Sequence, residues 1–249
     1  MLNKPVFPNK RRLTVVACSD STDCGEESAV PGIPVLSRTR LLLHLEAQER
    51  SVDLRRVSEL ILGDLGATLQ VLRLAGSEYS DPEGPGRLED CICDLGFQRC
   101  LDAMPVETVT DPGRRAAMAD LWNHSKTVAE FSQLIAKGMS GVCPERAYLA
   151  GLLHGIGWLP EIFAWRGFEE SDETGSATAL SIASRLVLPG FVMEILRDEP
   201  EGEDASRMFD IVQLAHLATI KPPSDKTLEM SPAYWYPGTA RSTSFVRWN

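Results

Sequence analysis

Two histidines mark the place where this chain could do chemistry. His124 and His154 lie thirty positions apart in the run LWNHSKTVAEFSQLIAKGMSGVCPERAYLAGLLHGIG, which starts at Leu121. Each sits in its own helical pattern. Imidazole nitrogens ligate metal ions, and a metal centre in a helical protein collects its ligands from several helices, because each helix offers only what faces inward at one level. A hard divalent ion that activates water is held mainly by oxygen ligands. The residue after His154 is Gly155, which supplies no side-chain donor. Other chemistries have weaker support. Cys143 precedes Pro144 at a helix start with no histidine near it in sequence, a poor setting for a nucleophile. The chain has no Gly-rich phosphate loop of the Walker or Rossmann type and no G-x-S-x-G elbow.

A histidine beside an apolar helix face is commonly a core residue whose nitrogens are satisfied by a backbone carbonyl or a hydroxyl, and Ser125 and Trp122 are local candidates for that role. Trp122 itself is expected in the core rather than as a stacking platform. Three readings stay open at this point: buried structural histidines, a metal site, and a ligand pocket without metal.

Three segments in order resemble the HDOD family, the HD-related output domains of bacterial signalling proteins: ILGDLGATLQVLRLAGSEY from Ile61, LWNHS from Leu121 and AGLLHGIG from Ala150. The resemblance spans about residues 33 to 220. In it the family's DP pair reads Asp64-Leu65, and the asparagine of its LRLANS-like stretch is Gly76. It implies an all-α, HD-like helical bundle with an additional N-terminal helical subdomain, acting as a regulatory domain rather than an enzyme. It also implies a degenerate relative of HD-type metal-dependent phosphohydrolases. His124 then matches the first histidine of the HD pattern, and His154 the histidine of the HD pair, with Gly155 in place of its aspartate. The closing aspartate of an AD-x-L-like helix falls in Ala215-His216-Leu217-Ala218, where His216 stands instead. The double histidine expected after Val187–Leu196 is not evident, and Arg197-Asp198 stand there. The resemblance therefore brings His124, His154 and His216 together as a candidate ligand pocket or vestigial metal pocket, with Ser125 and Trp122 beside it. No catalytic residue and no cofactor are expected, while zinc on the three imidazoles, with an open fourth position, is the competing possibility.

Composition fits a folded regulator. The chain has 249 residues, 43% hydrophobic content and a mean hydropathy of −0.11, enough for a full core. A formal charge of −10 argues against nucleic acid and anionic membranes as partners, since both draw affinity from clustered Lys and Arg. The expected partner is a signalling protein or a small ligand. No apolar run approaches the roughly 20 residues of a membrane span. Basic residues ahead of Leu13–Cys18 resemble a lipoprotein processing site, but the apolar stretch is too short for a signal core, so a cytoplasmic location is expected. The six cysteines read as reduced thiols. Neither Cys91 with Cys93 nor Cys18 with Cys24 has the spacing of a zinc knuckle.

The elements that must position the histidines follow from apolar periodicity and breakers. Residues 1–32 form a polar arm closed by Pro31-Gly32-Ile33-Pro34. Residues 33–110 form the N-terminal helical part, 111–220 the degenerate HD-like core, and 221–249 a tail rich in proline and aromatics. Leu41, Leu42 and Leu45 predict one apolar face, and Ser51 a cap for the helix of Leu54, Val57 and Ile61. Leu88, Cys91, Ile92 and Leu95 predict a helix ended by Gly96, and Met104–Pro112 a connector. The longest helix is expected over 114–137, with Met118, Leu121, Ser125, Val128, Ser132 and Ile135 inward. Pro144 opens the next, ended by Gly155 and Gly157. Further helices are expected at 158–164, 177–186, 191–197 and 207–219. Tyr234, Trp235 and Tyr236 suggest that the tail docks on its own domain.

Overall fold

Caps and breakers divide the chain into helices, and the computed structural model describes residues 32–78, 87–105, 109–165, 175–196 and 203–219. The N-terminal part contains α1 (Ser37–Gln48), α2 (Leu54–Leu62), α3 (Leu65–Glu78), α4 (Leu88–Leu95) and α5 (Phe97–Asp102). The second part contains α6 (Pro112–Lys137) and α7 (Pro144–Leu153), then a single 3-10 turn at Ile156–Trp158. It continues with α8 (Leu159–Phe163), α9 (Gly175–Arg185), α10 (Gly190–Ile195) and α11 (Glu203–Thr219). No strand occurs among the described residues, and the fold is an all-α, HD-like bundle. Residues 1–31 of the arm, the tail and the Arg197-Asp198 pair lie outside the described residues.

Local chemistry moves several of the expected boundaries. Asp53, not Ser51, caps α2, its carboxylate accepting from the amides of Arg55 at 3.0 Å and Arg56 at 3.3 Å. A cap must stand directly before the first turn to reach those amides, and Ser51 is two residues short. Helix α6 starts at Pro112 rather than Arg114, because Asp111 accepts from the Arg114 amide at 2.7 Å and proline needs no partner in the first turn. On α1 the expected leucine face is wrong: Leu41 and Leu45 are exposed, while Thr39, Leu43 and Glu46 face inward. The buried Glu46 carboxylate meets Arg56 of α2 at 2.6 Å, which lets a charged residue occupy the inner stripe. Helix α5 was not expected at all. Gly96, with φ of +84°, ends α4 and begins α5, a conformation that costs a glycine little.

One apolar core runs through both parts, with Leu43, Ile61, Leu72, Ile92, Leu121 and Leu153 among its fully buried or nearly buried members. A single buried carboxylate ties the parts together. Asp64 Oδ1 accepts from the amides of Gly66 at 2.9 Å and Ala67 at 3.3 Å, capping α3, and from the Trp122 indole of α6 at 2.9 Å. Its Oδ2 accepts from the Leu36 amide just before α1 at 2.9 Å. Gly66 allows this convergence, because a Cβ there would lie 2.0 Å from the Pro34 carbonyl oxygen. Gly76, in the place of the family's asparagine, has the same kind of neighbour: a Cβ would stand 1.7 Å from the Val187 carbonyl oxygen. The backbone linking α9 and α10 therefore lies directly on α3.

Removing the Asp64 carboxylate leaves buried N–H donors from three segments without an acceptor, each costing about 1–3 kcal/mol. Asp64→Ala is expected to lower unfolding stability by on the order of 3 kcal/mol or more in urea titration. A loss below about 1 kcal/mol would show that Asp64 does not organise the fold.

Candidate functional site

Three helices build the site, and small residues set how closely they approach. Helices α6 and α7 run antiparallel, since Ala136 packs with Ala147, Val128 with Ala150, and His124 meets His154. Gly151 fixes the spacing: a Cβ there would lie 2.8 Å from both the Ala129 Cα and the Ser132 Oγ. Helix α11 lies across both, with Ile211 beside Ala136 and Ala147, and Val212 and Ala215 beside Val128 and Ala150. One turn further along that seam the three helices bring His124, His154 and His216 to the same level.

His124 Nε2 stands 3.1 Å from His154 Nε2 and 3.1 Å from His216 Nδ1. One ligand-capable nitrogen from each of the three residues lies within 4.8 Å of the other two. His216 is buried, and His124 and His154 are half-buried. The histidine convergence expected from the resemblance is present in the geometry. Among the described residues, no Asp, Glu or Cys joins the three as a fourth ligand-bearing group.

Trp122 lies in the core as expected, but neither it nor Ser125 partners a histidine. Ser125 is fully buried on α6, and its hydroxyl has no hydrogen-bond partner among the described residues, so it does not satisfy a histidine. Trp122 is buried, but its indole points to Asp64, away from the histidines. A helix advances about 100° per residue, so two positions separate Trp122 and His124 onto different faces. The partner that sequence reasoning missed is the Gly151 carbonyl, 2.6 Å from His154 Nδ1. That carbonyl lies one turn back on the same helix, where a C-terminal histidine can reach an open acceptor.

Accepting from His154, the Gly151 carbonyl places a proton on Nδ1 and leaves the Nε2 lone pair facing His124 and the shared centre. Burial, reinforced by neighbouring His124, pushes His154 down to about 3 against the pull of its Gly151 hydrogen bond. Burial and the same neighbour push His216 down to about 4, and burial lowers His124. All three imidazoles are therefore neutral at pH 7. Other reactive groups differ in kind: burial raises the Cys91 thiol to about 12 and Cys100 to about 11, which keeps both protonated. Cys143 donates to the Glu145 carboxylate at 3.1 Å on an open helix end.

With this geometry in place, comparison with known proteins locates the chain. The HDOD domain model matches residues 33–166, more than half of the sequence. The chain belongs to the HDOD family. The matched HDOD segment contains His124 and His154 and ends before His216. A crystal structure of the MmoQ response regulator from Methylococcus capsulatus str. Bath superposes with a TM-score of 0.56 at 22% identity, covering 77% of this chain and 87% of that one. A second MmoQ structure gives a TM-score of 0.58 at 22% identity, with coverage of 75% and 85%. At this identity the likeness shows the shared fold. Comparison with curated proteins finds no match.

The depressed histidines make a pH prediction for the metal-free protein. As pH falls below about 6.5 the unfolded chain takes up protons that the folded site refuses, so stability is lost from there down to the folded values near 4 and 3. The melting temperature is expected to drop by several degrees between pH 7 and pH 5, with a smaller drop in His154→Gln. Equal melting temperatures at the two pH values would contradict the buried, neutral state of the three rings.

Proposed function

We propose that this HDOD protein is a non-catalytic regulatory domain of a bacterial signalling pathway, working in the cytoplasm by binding a protein partner or a small ligand. The observation that carries this reading is the chemistry of the convergent group. It is built of three imidazoles, with Gly155 where the HD pair would supply an aspartate, and no carboxylate joins it among the described residues. Magnesium, manganese and iron in phosphoester hydrolysis rely on carboxylate oxygens to hold the ion and tune its water. Family membership and a fold shared with a protein described as a response regulator agree with the regulatory role. No helix of the described residues is long and apolar enough to cross a membrane, which suits the proposed location.

A second reading is favoured by one fact, the convergence of the rings itself. In that reading the chain is a divergent metal-dependent phosphohydrolase acting on a nucleotide or cyclic dinucleotide. One assay separates the two. The full chain is incubated with phosphomonoester, phosphodiester and cyclic dinucleotide substrates in the presence of magnesium, manganese, iron or zinc. No turnover above that of metal alone is expected. Metal-stimulated turnover that vanishes in both His124→Ala and His154→Ala, with circular dichroism unchanged, would overturn the non-catalytic reading.

A further inference from the structure

The geometry points to a transition-metal site: we propose that His124, His154 and His216 bind one ion of the zinc class through three nitrogens, with a fourth position open to solvent or a small ligand. The site stands apart from the regulatory reading, since a domain that binds protein partners needs no metal.

The direction of the contacts, more than their length, favours a shared ion over a hydrogen-bonded cluster. Ligands about 2.0–2.1 Å from a tetrahedral zinc have N···N edges of about 3.3 Å. Two of the three edges here are 3.1 Å and share one atom, His124 Nε2, while the third, between His154 and His216, lies within 4.8 Å, so those two rings close in on the ion as it binds. That nitrogen has a single in-plane proton or lone pair, so it cannot form two linear hydrogen bonds with partners in different directions. If it donates to His154 Nε2, the contact with His216 Nδ1 is poorly directed. If it accepts from His216 instead, it faces the His154 lone pair at 3.1 Å. An ion at the centre uses all three lone pairs at once.

Surrounding contacts hold the rings in the orientation an ion needs. The Gly151 carbonyl binds His154 Nδ1 at 2.6 Å, the kind of outer contact that fixes the tautomer and aim of a ligating imidazole. The Gly151 seam against Ala129 and Ser132 keeps α7 close to α6, and Val212 and Ala215 hold α11 against both. The donors select the metal. Three imidazoles suit zinc, cobalt, nickel or copper and do not suit magnesium or calcium, which take oxygen. Bound metal links α11 to the α6–α7 pair, so its arrival and loss would change how firmly the last described helix is held.

Cobalt(II) titration of the full, chelator-stripped chain tests the proposal, with visible absorption as the readout. Saturation at one equivalent is expected, with the d–d bands of a nitrogen-ligated ion and no sulfur-to-cobalt charge-transfer band in the near ultraviolet. Zinc should displace the cobalt and raise the melting temperature, and magnesium should do neither. His216→Ala should weaken binding by more than the roughly 10–100-fold that loss of an outer contact costs. His44→Ala, changing the exposed histidine of α1, should leave it unchanged. The wild-type spectrum decides even if a histidine variant fails to fold. Absence of saturable binding, a sulfur charge-transfer band, or binding that survives His216→Ala would overturn the proposal.

Discussion

The buried Asp64 carboxylate is the interaction on which the arrangement rests. It accepts from the backbone before α1, from the first turn of α3 and from the Trp122 indole of α6. An ionised group out of water is tolerated only when its acceptor positions are filled, so the bonds specify one placement of three segments. Helix α6 is the element held by that carboxylate at one face and carrying His124 on another. The N-terminal helices thus set the position from which the histidine group is built, although none of them contributes a residue to it.

Close packing completes the placement. Gly151, Ala129, Ala136, Ala147 and Ala150 form a seam of small residues that brings α6, α7 and α11 near enough for short imidazole side chains to meet. Larger side chains at those positions would hold the helices apart, because interhelical distance follows the residues at the contact. Ser125 and Ser132 belong to the same buried face, where their size is what fits. The three imidazoles therefore sit at the end of an apolar seam.

Much of this was legible in the sequence because it rests on strong, local or motif-level signals. The inward stripe of α6, proline at the start of α7 and the helical identity of nearly every segment follow from periodicity and breakers. The meeting of His124, His154 and His216 was readable only through the HD-type resemblance, since spacing carries no information about convergence. What escaped was tertiary chemistry. The Asp64 pair was recognised as a motif element, but nothing local says that its oxygens reach Leu36 and Trp122, 28 and 58 residues away. Burial of Glu46 in preference to Leu45 likewise depends on Arg56 of the next helix. Ser125 and Trp122 sit beside His124 in sequence, yet helical rotation and the Asp64 acceptor turn the indole elsewhere.

Three helical segments present three imidazoles to one point. The most direct test of that convergence is a crystal structure of the full chain grown with zinc, with anomalous diffraction recorded on both sides of the zinc edge. One strong zinc peak is expected, bounded by His124 Nε2, His154 Nε2 and His216 Nδ1, each about 2.0–2.1 Å away. A map in which the three rings point apart, or in which zinc sits on the cysteines and leaves the histidines empty, would contradict it.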